Sequence, residues 1–519
     1  MRSPIAVLLE RAGCQSGWWR PPCAMYGSPG GEMMAGRKER EEEKEREVKK
    51  EIKKEIKKEI KKEIKKEIKK EREVDENDLL GFCSDALGYA LNKGAEDVEV
   101  YAETIEQKRV SSASNSISSV QQLERRGMGI RVFIKEKMAF ASVNALTGHR
   151  LKSVIEESIQ LASRSPYHGI LPDQADFPEI DLYDPALFHM QLEEVGEYAQ
   201  CLVESVKMCD KRMHVESGMV LVNIHKKAIA TSKGIEAKEV SSTAVWELLG
   251  AARDGVHVSD FDYQCEGTHW QNKIHVEEAA QRLTDATIPA LKAHTCKNFH
   301  GEVILAPGAV STLASHIAEA ANAYLVQKGV SALKDKLHTE VASPHVTLCD
   351  DALLPDGLAS SSFDREGVPH HTVPVIERGV LTSFLHDVTT ASSAELKSTG
   401  HAAGGYRSRP EIEPTNLLIH TGNHTIDELL SDIRHGVMIS RLSGSPDILT
   451  GEFSLVTKNA VTICRGELSE PVGGLMFSGN LYDILNNVTD ITSTSAPLGN
   501  GRYPYIQINP QQLIGGNLQ

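Results

Sequence analysis

The chain has 519 residues, 40% hydrophobic and 25% charged, a length that favours about two to four domains with sizeable cores. It has no run of 18 consecutive apolar residues, which excludes a membrane-spanning helix on sequence grounds. Residues 1–74 carry 21 Lys and Arg against 15 Asp and Glu, whereas the remaining chain holds 36 basic and 57 acidic side chains. The acidic part of the chain after residue 74 repels phosphate groups, so we do not expect it to bind nucleic acid.

The cysteines and the N-terminal residues indicate the cellular compartment of the protein. The nine cysteines are scattered and contain no C-x-x-C pair, which disfavours a disulfide framework or a cysteine-rich zinc site. The apolar run Ile5–Leu9 is too short for a signal peptide, because Glu10 ends it. We therefore expect a cytoplasmic protein without a membrane anchor.

Residues 1–74 are predicted to be a disordered, low-complexity charged tail. The tetrapeptide KKEI occurs five times between Lys49 and Ile68, so its isoleucines drift around a helix and form no straight seam for a coiled coil. The interpretation we favour is a solvated spacer. Attachment to nucleic acid or to a membrane surface through the basic residues is the alternative.

The fold class predicted for the rest of the chain is α+β, because no helix separates the first strands. Residues 75–165 are expected to form an N-terminal α+β domain, in which the polar segment Ser111–Ser119 connects short strands. Residues 166–299 are expected to form a middle α+β segment. It would hold helices at 192–208 and 276–293 and short strands at 215–222, 227–231 and 239–248. Residues 300–519 are predicted to be a mostly β domain with helices near 308–327 and 425–435.

One pair of side chains could contribute to a metal site. His316 and Glu319 are three residues apart on a predicted helix and so share a helix face. Zinc needs three or four protein ligands, and the sequence provides no third one beside them. A hydrogen bond between the two at the border of the core is the simpler interpretation. The pair His370-His371 directly follows Pro369 and is expected in a solvated loop.

A second candidate region is a loop rich in Ser, Thr and Gly. It follows a hairpin with a Glu-Arg-Gly turn at 377–379 and begins with five candidate peptide-contact residues: Lys397, Ser398, Thr399, Gly400 and His401. The N–H groups of such a loop can hold an extended peptide backbone. A purely structural turn is the alternative.

From about residue 80 onward the sequence resembles the TldD/PmbA family of modulator-type zinc metallopeptidases, and within it the PmbA (TldE) branch. The resemblance rests on ordered motifs: Gly129-Ile-Arg131, Ala306-Pro-Gly308, Phe363–Leu385, Lys397–His401, 414–418 and Ser478-Gly-Asn480. It implies that two related chains pair around a cavity that admits short or unfolded peptides.

The resemblance also implies which residues would carry zinc. In the TldD branch an H-E-x-x-x-H motif follows the Pro-Gly helix entry. At the matching positions this chain has Ser315 in place of the first His, His316 in place of Glu and Ala320 in place of the second His. The TldD branch also has a Cys near the C-terminus, whereas the last cysteine here is Cys464, well before the expected place at 495–501.

We therefore predict a subunit without a cofactor of its own, whose catalytic residues are unknown. Its partner would be a TldD-like zinc-bearing chain or a second copy, and its substrate a peptide. Whether the isolated chain is an enzyme stays open. The alternatives are a peptidase active by itself through an unrecognised site around His316 and Glu319, and a regulatory binding protein without proteolysis.

Overall fold

The computed structural model describes residues 78–515, so the predictions for residues 1–74 lie outside the described residues. The α+β class is confirmed, because helices pack on sheets made mainly of antiparallel strands. Across 78–515, no helix is both long and apolar enough to cross a membrane.

The first half of the described chain builds one sheet and the helices that cover it. Its elements are α1 (Leu79–Asn92), β1 (Asp97–Ala113), β2 (Ser116–Ile134), β3 (Lys137–Val143), α2 (His149–Ala162), α3 (Pro185–His189), α4 (Leu192–Cys209), β4 (Met213–Thr231), β5 (Glu236–Asp254), β6 (His257–Val258), β7 (Asp262–Thr268) and α5 (Val276–Ala290).

These strands form a single antiparallel sheet in the order β3-β2-β1-β4-β5-β6, with β7 also paired to β5. The sheet takes strands from both sides of the predicted boundary at residues 165 and 166. One of its faces is apolar along its length, and α1 and α2 pack on one end of that face while α4 and α5 pack on the other.

Two sequence predictions were wrong here. The polar segment Ser111–Ser119 is the end of a long hairpin, because Ser114 and Asn115 adopt the positive φ angles of a tight turn and the flanking residues stay paired. The short strands expected between 215 and 248 are two strands of 19 residues each, β4 and β5. Polar residues continue these strands because sheet pairing outweighs their low strand propensity.

The second half builds a larger sheet. Its elements are β8 (His294–Thr295), β9 (Phe299–Leu305), α6 (Pro307–Ala320), α7 (Ala323–Lys328), β10 (Leu348–Asp351), β11 (Thr372–Glu377), β12 (Val380–Leu381), α8 (Val388–Ser393), β13 (Ala402–Ala403), β14 (Glu411–Ile412), β15 (Leu417–Ile419), α9 (Ile426–Ser431), β16 (His435–Ile439), β17 (Arg441–Ser443), β18 (Glu452–Lys458), β19 (Ala460–Cys464), β20 (Glu467–Gly473), β21 (Leu475–Asn480), α10 (Leu481–Asn486), β22 (Val488–Leu498) and β23 (Gly501–Gly515).

The second sheet is centred on β23, which pairs with β9, β15, β21 and β22. The predicted hairpin at 377–379 is confirmed, since Arg378 and Gly379 form its turn with positive φ angles. The helix expected at 308–327 is interrupted: α6 ends at Ala320, and Asn322 caps α7 through its side chain. The helix expected at 425–435 is only the six residues of α9.

Candidate functional site

A cavity of about 990 Å³ lies beside the first turns of α6. Its wall combines the polar face of α6 with β7, the start of β17 and the turn between β22 and β23. These segments are far apart in the sequence, so the fold alone brings them together. The volume is at the upper end of the range for pockets that enclose small ligands.

The start of α6 is fixed by backbone geometry. Ala306 is extended, and Pro307 occupies the first turn, where its missing N–H costs nothing. A Cβ on Gly308 would lie 2.7 Å from the Ser440 carbonyl oxygen, so only glycine fits this close approach. The helix thereby presents three hydroxyl side chains to the cavity: Ser311, Thr312 and Ser315.

The turn between β22 and β23 forms the facing wall. Gly499 takes a positive φ angle there, and its N–H donates to the Cys265 carbonyl oxygen at 2.9 Å. Just beyond the turn, burial raises the pKa of Tyr503 to about 12, partly offset by a hydrogen bond with Ser315. Tyr503 is therefore a neutral phenol at neutral pH, and with Ser315 it offers hydrogen bonds rather than charge.

Three of the four charged side chains that line this cavity form ion pairs within the protein, and the fourth, exposed Asp285, accepts from Gln281 Nε2 at 2.8 Å. Burial raises the pKa of Asp262, whose carboxylate accepts from Gln264 Nε2 at 2.8 Å and lies 3.7 Å from Arg441 Nε. Arg441 also donates to the Phe261 carbonyl oxygen at 2.6 Å. Arg282 forms an ion pair with Glu266. The cavity thus suits a ligand with many neutral donors and acceptors, such as a peptide backbone.

His316 and Glu319 do not line this cavity. The His316 side chain is 4% exposed and that of Glu319 is 63% exposed. The 3.9 Å between Nδ1 and Oε2 exceeds a hydrogen bond, and His316 Nε2 is buried without a partner. Burial lowers the pKa of His316. No three His, Cys, Asp or Glu side chains in residues 78–515 are grouped so that they could hold a metal ion.

The predicted peptide-contact loop is buried at Gly400 and His401, half-buried at Ser398 and Thr399, and already hydrogen-bonded. The N–H groups of Thr399 and His401 donate to the His386 carbonyl oxygen, and that of Gly400 donates to Ser398 Oγ. Because these N–H groups are taken, they cannot hold a peptide in this conformation. Of the five candidate residues only Lys397 is exposed, and its contact with a peptide stays a prediction.

His401 instead belongs to a buried polar pair behind the cavity wall. Its Nε2 lies 3.3 Å from Asp350 Oδ1, outside hydrogen-bond geometry, while its Nδ1 bonds Thr399 Oγ1 at 2.9 Å. Asp350 accepts from the N–H of Thr415 at 2.7 Å, and Thr415 lines the cavity. No sequence pattern linked Asp350 with His401, because 50 residues lie between them.

His370, expected in a solvated loop, is buried. Its Nδ1 lies 2.8 Å from the Ser361 carbonyl oxygen, and burial lowers the pKa of its imidazole to about 4. His370 lies outside any helix or strand, as expected, but only its neighbour His371 is exposed to solvent. His370 is therefore a neutral structural donor.

The motif Phe363–Gly367 contributes an ionic network instead of a ligand site. Arg131 on β2 pairs with Glu99 and with Glu366, and Arg365 Nη1 lies 2.8 Å from Glu99 Oε1. All these side chains are at most 3% exposed. Burial and the charge of Glu366 raise the pKa of neighbouring Asp364. The network joins the first sheet to the second half of the chain.

The fold and the cavity define this class of protein: a two-sheet α+β scaffold with a cavity of about 990 Å³ lined by strands of both sheets. A model of PmbA/TldA metallopeptidase domain 1 matches residues 98–162, and one of the PmbA/TldA metallopeptidase C-terminal domain matches residues 300–515. Since the two models match more than half of the sequence, the chain belongs to the PmbA/TldD metallopeptidase family.

Individual relatives agree with this assignment. A metalloprotease of Methanothermobacter thermautotrophicus is 26% identical over 448 residues, which are 81% of this chain and 96% of the relative. Metalloprotease PmbA of Escherichia coli O157:H7 is 24% identical over 79% of this chain and 90% of its own. The crystal structure of TldE from Thermococcus kodakarensis has the same fold, with a TM-score of 0.78 at 21% identity, over 84% of this chain and all of that one.

Proposed function

We propose that this chain is the subunit without catalytic zinc in a TldD/PmbA-type peptidase, and that it forms part of the wall of a peptide-binding chamber. The zinc would be held by a TldD-like partner chain. The observation that carries the proposal is the orientation of α6: Ser315, not a histidine, faces the 990 Å³ cavity at the position that the resemblance assigns to the first zinc ligand.

The residues present do not fit a zinc site at this position. The Ser315 hydroxyl is hydrogen-bonded with Tyr503, His316 is buried away from the cavity, and Ala320 has no donor atom. Zinc in proteins is held by thiolate, imidazole or carboxylate groups. Water activation by zinc therefore has no support from these side chains.

What this chain contributes is binding and exclusion of water. Ser311 and Thr312 donate their hydroxyl hydrogens to the Gly308 carbonyl oxygen, so they offer acceptors to the cavity. Together with Ser315 and the phenol of Tyr503 they provide neutral hydrogen-bonding groups, which suit the backbone of a peptide of any sequence. The seven described cysteines are all free, which supports our proposal of a cytoplasmic location.

Reconstitution tests the proposal. The full chain, a TldD-like chain containing H-E-x-x-x-H, and their mixture are each assayed for cleavage of an unfolded peptide and for bound zinc. We expect cleavage in the mixture, zinc only in the partner, and no cleavage when the Glu of the partner's motif is replaced by Gln.

Two outcomes would contradict this proposal. Stoichiometric zinc together with peptide cleavage by the isolated chain would support a peptidase active by itself. Stable complexes in which no cleavage occurs, despite an active partner, would support a non-proteolytic binding protein.

A further inference from the structure

A second cavity, of about 390 Å³, lies on the opposite side of the first sheet from its helices. Its floor is one row of side chains across three neighbouring strands: Arg125 on β2, Ile105 on β1 and His225 on β4. Directly paired residues point to the same face of a sheet, so these three side chains are adjacent. The loop at residues 404–407 forms the wall above them.

That loop is held in place on the sheet. The N–H of Tyr406 donates to Glu103 Oε1 at 3.1 Å, and the Tyr406 hydroxyl donates to Asn144 Oδ1 at 2.8 Å. A Cβ on Gly405 would lie 2.5 Å from the same Glu103 oxygen, so a larger residue here would displace this buried carboxylate. The cavity is therefore formed before any ligand binds.

Two guanidinium groups at this cavity have no anionic partner. Arg407 Nε donates to the Tyr406 hydroxyl oxygen at 2.9 Å, which orients its remaining N–H groups, and Arg125 is exposed. In residues 78–515 no carboxylate lies within ion-pair distance of either guanidinium. Nothing in the described chain therefore neutralises these two charges.

The one acidic side chain in the cavity is already engaged. Glu103 Oε1 accepts from the Tyr406 N–H, and Oε2 accepts from the Tyr101 hydroxyl at 3.3 Å and lies 3.1 Å from His225 Nε2. Glu103 is 5% exposed, so its charge stays at the base of the site. A monoanion is therefore a better ligand here than a phosphate dianion, which Glu103 would repel.

We propose that this cavity binds the C-terminal carboxylate of a peptide, held by the guanidinium groups of Arg125 and Arg407. A guanidinium matches the two oxygens of a carboxylate in planar, charge-assisted hydrogen bonds. Ile105 offers an apolar surface for the last side chain of the peptide. The inference rests on the proposed function only in taking a peptide as the carrier of the carboxylate.

Calorimetric titration of the full chain tests this site with two probes. One is the N-acetylated peptide Gly-Gly-Ala-Ala-Leu with a free C-terminal carboxylate, and the other is its C-terminal amide. We expect the acid to bind about tenfold more tightly than the amide, because charge-assisted hydrogen bonds distinguish them. Arg125→Gln and Arg407→Gln should each reduce that ratio, and the double variant should bring it close to one.

Arg109→Gln is the matched control. Arg109 is an exposed arginine on β1, four residues after Ile105 and on the same face of the sheet. It does not line the cavity. It should leave the acid-to-amide ratio unchanged, and circular dichroism should show that every variant is folded.

Equal binding of acid and amide by the wild type would overturn this inference, as would an equal loss of the ratio in the Arg109 control. Displacement of the acid by inorganic phosphate at lower concentrations than acetate would also overturn it. The proposed function fails separately, by the reconstitution assay, because the titration uses no partner and no cleavage.

Discussion

Nη1 of Arg131 on β2 lies 2.7 Å from Oε1 of Glu366, a buried carboxylate in the second half of the chain. The other Glu366 oxygen accepts from the Val388 N–H at 2.8 Å, and Arg131 also pairs with Glu99. Arg131 is therefore one link between the first sheet and the motif Phe363–Gly367, beside the ion pair of Arg365 with Glu99.

Arg131→Met should lower the free energy of unfolding by about 3–5 kcal/mol, because it leaves buried Glu366 without an ion-pair partner and leaves Glu99 paired with Arg365 alone. Urea unfolding followed by circular dichroism measures this loss. Arg212→Met, which breaks an exposed pair with Asp210, is the control and should have a much smaller effect. Similar midpoints for the two variants would show that the buried network does not stabilise the fold.

Gly127→Ala should destabilise the contact between β2 and the loop at 404–407. The added Cβ would lie 2.1 Å from Tyr406 Cε2, and this ring is held by its hydroxyl bond to Asn144. We expect a loss of about 1–3 kcal/mol, typical of overpacking at a filled site. Thermal unfolding measures it.

Gly88→Ala on α1 is the matched control for Gly127→Ala. Nothing lies within 4 Å of a Cβ at Gly88, and alanine is favoured over glycine inside a helix by about 0.5–1 kcal/mol. The control should therefore unfold at the same temperature or higher. Destabilisation of both variants by the same amount would contradict the steric argument.

Stability should fall with decreasing pH through His370. Its pKa is about 4 in the folded chain, below the ordinary value of 6.5, so between these values the unfolded chain binds a proton that the folded chain does not. The contribution lost as pH falls from about 6.5 to about 4 is on the order of 3 kcal/mol.

His370→Asn keeps a side-chain donor for the Ser361 carbonyl oxygen but removes the titration. The difference in unfolding free energy between wild type and variant should therefore shift in favour of the variant as pH falls from about 7 to about 4. Asp364 is present in both proteins, so its own titration cancels. A difference that does not change with pH would show that His370 is not the titrating group.

Ser315→Trp should reduce cleavage by the reconstituted mixture, because the indole fills part of the 990 Å³ cavity. Glu319→Trp adds the same ring on the same helix at a side chain that is 63% exposed and outside the cavity. We expect a rise in KM for unfolded peptides in the first variant and unchanged kinetics in the second. Equal effects of the two variants on KM would show that the cavity does not take part in the proposed function.

The sequence by itself determined the α+β class, the hairpin at 377–379 and the family, because these depend on local periodicity, turn residues and ordered motifs. It could not determine the length of the strands: β4 and β5 continue through polar residues only because their neighbours pair with them. It predicted His316 and Glu319 as a pair by spacing, but their separation of 3.9 Å and their unequal burial follow from packing.

Only the tertiary structure decided what surrounds each candidate site. Asp262, Ser315 and Tyr503 meet at one cavity, although more than 50 residues separate each from the next, and Arg125 meets Arg407 across an even longer stretch of chain. The physical reason is that local sequence fixes backbone propensity, whereas pairing of distant strands and burial of shared apolar faces fix which side chains converge. The loop at 397–401 illustrates this. Its glycine and hydroxyl residues predicted a peptide site, but in the folded chain the N–H groups of Thr399, Gly400 and His401 form internal hydrogen bonds.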